Sequence, residues 1–528
     1  MIRLICVVSL GLMAGPVWAN SDVVREAKVE KISSVAAQSV SEYKPLLSFA
    51  WDDVTLSAPL SMMTRVESTS RYPLDKDRTE IGSGVNVAPL ARVGLKLNTG
   101  RALKIVNLVL DYEHDLYNGN LGYTPGVEGA GLPATAASAQ EIRKAWARFA
   151  FDRYLHLGGG ITTSHWGMGL VANNGAQYWT PGSARFTDPR GGDRVLRGSI
   201  ATGPYGEWGF LAAFNYDQVI DDDALLTATE LNPDNPELAT GDTAQQFSGA
   251  LVLGYKKPWG AGVYVARRSQ IDANGGETKV WVLDATARTE QAIEGVGTFK
   301  AETELAFITG TTSIAGSPAY PEHDVAQFAA AGRIALDRGN YGGVLDAVYA
   351  SGDQNIDDGN QNGFRIDSNF DMGMLLFRQV LSAHTGRGVA TASDPELVGY
   401  PSAGIERFAT RGSITNTIAF FPRAYWQPLA GLEVYGGPLI AFNATSNIDP
   451  LNSRLAGGSA RNALNAKPGA YLGTELDVGI RYRTLMFGTE LTAGAEFGIL
   501  QPGAALDNDK SNPMRRVYGA RGTIQYRL

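Results

Sequence analysis

Between Val517 and Leu528 the chain alternates. Tyr518, Ala520, Gly522, Ile524, Tyr526 and Leu528 fall on one face, and Gly519, Arg521, Thr523, Gln525 and Arg527 on the other. Period-two alternation over about ten positions, separated in turn by tight turns and long polar loops, is the pattern of a membrane-spanning β-barrel, because a soluble sandwich strand runs about half that length. The same pattern precedes it in a long hairpin. Leu472, Leu476, Val478, Ile480 and Tyr482 oppose Glu475, Asp477, Gly479, Arg481 and Arg483, and Leu485 to Phe497 returns.

Read along the chain, the alternation predicts strands at 56–67, 87–97, 103–114, 141–151, 154–164, 193–203, 208–219, 247–257 and 261–270. It continues at 279–288, 297–309, 325–336, 341–351, 414–427, 432–443, 471–483, 485–497 and 517–528. The fold class is therefore all-β, an antiparallel transmembrane barrel of about 18 strands, an even count that puts both chain ends on the periplasmic side. Parity decides one ambiguous segment. Phe370 to Leu381 is apolar enough for a strand, but a nineteenth would leave the count odd, so it belongs to the long connection 352–412. A connection of that length with an apolar cluster of Phe370, Met372, Met374, Leu375, Leu376 and Phe377 is expected to fold into the barrel mouth and narrow it, with an extracellular lid as the alternative.

Short connections at Thr99-Gly100, Asp152-Arg153, Gly203 to Gly206, Pro258 to Gly260 and Gly339-Asn340 are expected to face the periplasm. Phe151, Tyr154, Trp208, Tyr255, Trp259, Tyr341, Trp426, Tyr482 and Tyr526 lie beside those turns, as an interfacial aromatic girdle would.

Composition narrows the class. The 528 residues include 62 Gly and 24 Pro without a three-residue period, 44% apolar and 19% charged residues, and a formal charge of −8, so collagen, disorder and nucleic-acid binding are all disfavoured. Residues 1–19 read as a cleaved secretory signal, with Arg3, the apolar run Leu4 to Met13, and the exit Val17-Trp18-Ala19. Cys6, the one cysteine, lies inside it, which leaves the exported chain without thiol chemistry. Residues 20–53 read as a short periplasmic segment and 54–528 as the barrel. The expected surroundings are the bacterial outer membrane, its lipid and lipopolysaccharide, and the barrel-assembly machinery.

Assigning each apolar face to lipid turns the other face inward. A basic set of Arg65, Arg92, Lys96, Arg148, Arg197, Arg423, Arg481, Arg483 and Arg521 is expected to line one arc, and an acidic set of Asp217, Asp284, Glu302, Glu304 and Asp346 the opposite arc. Glu475 and Asp477 interrupt the basic arc. Facing arcs would set up a transverse field across a water-filled channel; pairing across neighbouring strands is the alternative. No energy-coupling domain or nucleotide loop is visible, so movement of a polar or anionic solute would be passive or driven by a periplasmic partner.

Two sharper motifs were weighed on the same footing. Ser164 and His165 could form a nucleophile with Asp188 or Asp193, but a loop packed by Trp166 and Met168, bent by glycines, is the preferred reading. Asp353, Asn355 and Asp357, with Asp358 and Gly359, resemble the start of a calcium loop; the glycine comes one place late and Phe364 stands where glutamate is needed, so a solvated polar loop is preferred and no cofactor is expected.

With these residues placed, the chain resembles bacterial outer-membrane channels of the alginate-export porin type, and an uncharacterised group of myxobacterial outer-membrane barrels. The resemblance rests on Trp166-Gly167-Met168-Gly169, Asn173-Asn174-Gly175, Asp193-Arg194-Val195, Tyr349 to Asp353 and Gly473 to Asp477. It implies an 18-stranded barrel with an arginine-lined lumen for a polyuronate, where Arg481 and Arg483 would sit by position. Three functions therefore stand open: a channel for small polar or anionic solutes, an exporter of acidic polysaccharide, and a non-conducting barrel serving as enzyme or platform.

Overall fold

The computed structural model describes residues 47–82, 84–100, 102–118, 138–174, 182, 194–220, 241–316, 318–356, 358–370, 372–386, 405–410, 412–446, 449–486, 489–507 and 513–528. The segments 1–19 and most of 20–53 lie outside them, as does Asp357. The main sheet holds 21 strands; three of these, Ser48–Trp51, Val54–Ser57 and Asn360–Gln361, are short additions, and the other eighteen form an antiparallel barrel. It closes where Val517–Arg527 pairs with Leu60–Thr69 through nine residue pairs from Gly519↔Thr69 to Arg527↔Ser61. Leu528 and Leu60 then exchange both backbone hydrogen bonds, at 2.7 and 3.2 Å.

Each of the eighteen segments expected from alternation is a strand, and the differences lie at their ends. Expected 279–288 extends to Glu277–Ile293, and expected 485–497 shifts to Thr489–Pro502. At the amino end, expected 56–67 is broken at Ala58-Pro59 into Val54–Ser57 and Leu60–Thr69, because proline has no N–H for the ladder. Ser48–Trp51 folds back on Val54–Ser57, so regular structure starts ahead of the expected boundary at residue 54. Below Leu528, this hairpin occupies the edge that the last strand leaves open.

The alternation survives as exposure. On the last strand Tyr518 and Ile524 are exposed and Arg521, Thr523 and Gln525 are buried. Across the barrel the outward residues are Leu, Val, Ile and aromatics, and Tyr154, Trp208, Tyr341, Trp426 and Tyr482 stand exposed at the short-turn end as expected of a girdle. Trp208 and Trp259 meet edge to face there, 5.8 Å apart. No helix among the described residues is long and apolar enough to cross a membrane; the strands do that work.

The inward charges pair with neighbours instead of forming two arcs. Arg92 grips Asp115 at 2.5 and 2.6 Å, Arg197 grips Asp217 at 2.6 and 2.7 Å, and Arg521 meets Glu496 at 2.6 Å. Arg481 meets Glu433 at 2.6 Å, Arg483 meets Glu490 at 2.8 Å, and Asp346 takes both Arg333, at 2.6 Å, and Arg423. Arg65 lies 2.9 Å from Glu67, and Lys96 lies 3.9 Å from Glu113. Glu302 sits opposite Arg333 and Arg288 in register. The reason is geometric: inward residues on adjacent strands stand about 5 Å apart, so a guanidinium is neutralised locally before it can contribute to a field across the lumen.

The Arg197–Asp217, Arg481–Glu433 and Arg423–Asp346 pairs are buried on both sides, and breaking one strands a charge. Asp217→Ala should destabilise the refolded barrel by about 3–5 kcal/mol, read as a lower midpoint in denaturant, whereas Arg197→Leu with Asp217→Leu should recover most of the loss. Equal loss in the single and double variants would contradict the pairing.

Candidate functional site

The lumen is filled in part by two connections that leave the wall and fold inward. One follows the strand Leu155–Thr163 and carries Ser164 to Asn174; the other is the long connection, whose residues 358–386 enter the barrel. Phe370, Met374 and Phe377, expected on this loop, are all buried, together with Met372, Leu375, Leu376 and Val380. They pack on inward wall residues that are small, Ala306, Ala329, Ala331, Ala350, Ala419 and Ala441. At Gly498 and Gly519 the wall has no side chain at all where Leu375 seats. Each fully buried Leu or Phe contributes about 1.5–3 kcal/mol, enough to offset the roughly 1–2 kcal/mol per residue of backbone ordering. Residues Leu376–Leu381 form a π-helical turn, capped from above when the Tyr72 hydroxyl donates to the Gln379 carbonyl at 3.1 Å.

Irregular backbone inside a barrel must find acceptors and donors in the wall. Here acidic side chains supply them. Glu475 accepts the backbone amides of Met374, Leu375 and Leu376 at 2.5, 2.7 and 2.8 Å. Glu304 accepts the amide of Leu170 at 3.1 Å and that of Met168, and beside it Asp284 accepts the Trp166 indole N–H at 2.8 Å. Both captures use a glycine at positive φ. Gly167 (φ 54°) and Gly373 (φ 79°) approach the wall so closely that a Cβ would stand 2.6 Å from Glu304 Oε2 in the first case and 2.5 Å from Leu439 Cδ2 in the second. Asp477, the neighbour of Glu475 on the same face, is buried beside it.

The two loops also hold each other. Asp367 accepts the Asn173 amide at 2.8 Å, Asp367 N donates to the Leu170 carbonyl at 2.9 Å, and Asn369 Nδ2 donates to the Asn173 carbonyl at 3.1 Å. Between them and the wall lies a cavity of about 290 Å³. Arg268, Arg365 and Arg407 reach its lining among apolar groups such as Tyr264, Ile308 and Phe364. Arg407 is anchored on Asp242 at 2.7 and 3.1 Å. The acids of the lining, Asp353 and Asp367, are turned to backbone amides: Asp353 accepts those of Asn355 at 3.0 Å and Asn362 at 3.1 Å. Burial lifts the Asp353 carboxyl above its ordinary range even so.

The expected site residues thus divide. Asp284, Glu304, Glu475 and Asp477, read as acids facing the solute, lie beneath the loops: the first three hold loop groups and Asp477 backs Glu475. Arg65, Arg92, Lys96, Arg197, Arg423, Arg481, Arg483 and Arg521 face inward but are tied to acids, and Arg148 faces inward on the strand Ser138–Phe151. Arg365 and Arg407 were missed because they lie on the irregular connection, where no period marks an inward face. Glu433 was missed although alternation across Leu432–Asn443 places it opposite Arg481. Ser164 Oγ accepts from Arg197 at 2.7 Å, and Trp166 is buried. The segment folds inward as a packing loop and its serine contacts a cation; Asp188 and Asp193 lie outside the described residues. Among the described residues no group of three His, Cys, Asp or Glu side chains is placed to hold a metal ion, and Asp353 is occupied by its own loop.

Against this geometry, no protein-family model matches the chain, and no curated protein matches it. Solved structures do. Pseudomonas aeruginosa OccK9 (OpdG) is similar with a TM-score of 0.50 at 11% identity, over 90% of this chain and 98% of that one. OpdK from the same organism, solved with vanillate, gives 0.48 at 12% identity over 89% and 98%. OccK2 (OpdF), solved with glucuronate, gives 0.47 at 9% identity over 92% and 99%. At such identity the likeness is one of fold, the closed 18-stranded antiparallel β-barrel.

The capture by Glu475 can be tested directly. A Met374→Cys thiol, introduced where the chain's own Cys6 is confined to the leading segment, should label slowly in the refolded barrel, and Glu475→Ala should speed labelling about tenfold or more. Unchanged labelling in a barrel that still shows heat-modifiable migration would contradict the tether.

Proposed function

We propose that this protein is an outer-membrane channel for passive passage of small polar or anionic solutes, narrowed by two connections folded into its lumen. The observation that carries this reading is the closed eighteen-stranded wall, apolar outside and charged inside, around a compartment of about 290 Å³ to which Arg268, Arg365 and Arg407 contribute cationic groups. A rigid guanidinium among apolar side chains attracts a carboxylate while leaving its organic part in contact with Tyr264 and Phe364. The two acids of the lining, Asp353 and Asp367, accept backbone amides, and Arg407 is paired with Asp242, so Arg268 and Arg365 are the cations this reading assigns to the solute.

The resemblance to alginate-export porins would place a polyuronate here. The loops argue for small solutes instead, because the compartment they leave matches a small molecule and not a continuous polymer path.

Single-channel current in a planar bilayer tests the reading. The full chain should conduct, deletion of Phe370 to Gly386 should raise conductance several-fold, and Arg268→Gln with Arg365→Gln should lower anion preference several-fold. Silence from both the full chain and the deletion, with folding verified by heat-modifiable migration, would overturn it.

A further inference from the structure

Arg267 is a charge on the outer face of the barrel wall. On the strand Trp259–Ile271 the residues Tyr264, Arg268 and Gln270 line the lumen cavity, while Val263, Val265 and Ile271 are exposed on the outer surface. Arg267 shares the outward parity. Among the described residues it has no acidic partner; its guanidinium lies over the Trp281 ring, 5.5 Å from the centroid. Inward arginines such as Arg92, Arg197, Arg481 and Arg521, in contrast, are bound to carboxylates.

The register fixes its depth. Arg267 stands in an aromatic row, Tyr216↔Phe247↔Arg267↔Trp281, and one step nearer the long-loop end runs a polar row, Gln218↔Gln245↔Ser269↔Lys279↔Thr311↔Asp324. Tyr216, Phe247 and Trp281 are exposed outward, as an aromatic belt at a membrane surface requires. A cation at that level sits where acyl chains meet headgroups of the outer leaflet. There the cost of an unpaired guanidinium is avoided when the lipid itself supplies the counter-charge.

We infer that Arg267, seated on Trp281 beneath the Gln245–Ser269–Thr311 collar, binds the phosphate of an outer-leaflet lipid headgroup. The inference rests on the outer-membrane reading above and assigns that membrane a contact site. A planar guanidinium takes a phosphate bidentately, and the indole face holds it flat for that approach. Lys279, one strand away and diagonal to Arg267, is engaged by Glu277, so the charge of the site is carried by Arg267 and the neutral collar supplies donors. The lipid's acyl chains would lie along Val265 and Leu283 below.

Native mass spectrometry of the detergent-refolded full chain, titrated with phosphatidic acid, diacylglycerol or inorganic phosphate, tests the site. Phosphatidic acid should bind and diacylglycerol should not. Arg267→Gln should weaken phosphatidic acid about tenfold, Arg267→Lys should restore part of the loss, and Lys257→Gln in a periplasmic turn should change nothing. Equal binding to Arg267→Gln, in a barrel whose heat-modifiable migration shows it folded, would overturn the inference. Displacement of the lipid by equimolar inorganic phosphate would also overturn it, by making the site one for free phosphate. Insertion into vesicles separates the two readings: a barrel that inserts while Arg267→Gln binds unchanged loses only the lipid site, and a chain that fails to insert loses both.

Discussion

Backbone amides that enter the lumen of a barrel have no ladder to join, and in this chain the wall meets them with carboxylates. Glu475 takes three consecutive amides of the long connection and Glu304 takes two from the connection after Leu155–Thr163. Without such acceptors, each buried N–H would carry a desolvation cost of about 1–3 kcal/mol, and the loops would be better solvated outside the mouth. The cavity, the cross-links between the loops and the placement of Arg365 and Arg407 all follow from those two captures.

The wall is adapted to the same end. Where the loops press against it, the wall presents alanine, glycine and larger apolar side chains such as Phe421 and Leu439 around the capturing carboxylates; elsewhere inward arginines pair with acids across strands. On the channel reading proposed above, pairing matters because a neutralised wall does not hold a passing ion, and selectivity would fall to the few arginines beside the cavity, of which Arg407 is set in place by Asp242 from a third connection. Three separate loops thus build one compartment, and the barrel serves as their frame.

Much of this was legible in the residues. Strand positions follow from period-two alternation because the lipid face tolerates no charge, and each expected segment is a strand. The even count that excluded Phe370–Leu381 from the wall follows from closure with both ends together, and that segment lies in the lumen around the turn Leu376–Leu381. What alternation cannot tell is what covers an inward face. Asp284, Glu304 and Glu475 look the same in sequence as Asp217 and Asp346, yet the former hold loops and the latter hold arginines. The difference lies in contacts more than a hundred residues apart for Trp166–Asp284 and Leu170–Glu304, which no local pattern encodes. The basic and acidic arcs failed for a related reason: inward parity was read strand by strand, whereas pairing is decided between strands. Arg267 shows the converse. Its outward parity follows from the alternation of Val263, Val265 and Ile271, and its meaning from the register that sets it beside Trp281.

The central claim, that wall carboxylates hold both loops inside the lumen, is most directly tested by amide hydrogen exchange in the refolded barrel. The amides of Met168, Leu170, Met374, Leu375 and Leu376 are predicted to exchange as slowly as those of the neighbouring strand Tyr471–Met486, with protection lost at 374–376 in Glu475→Ala. Exchange of these amides at the rate of an exposed loop, while the strands stay protected, would contradict it.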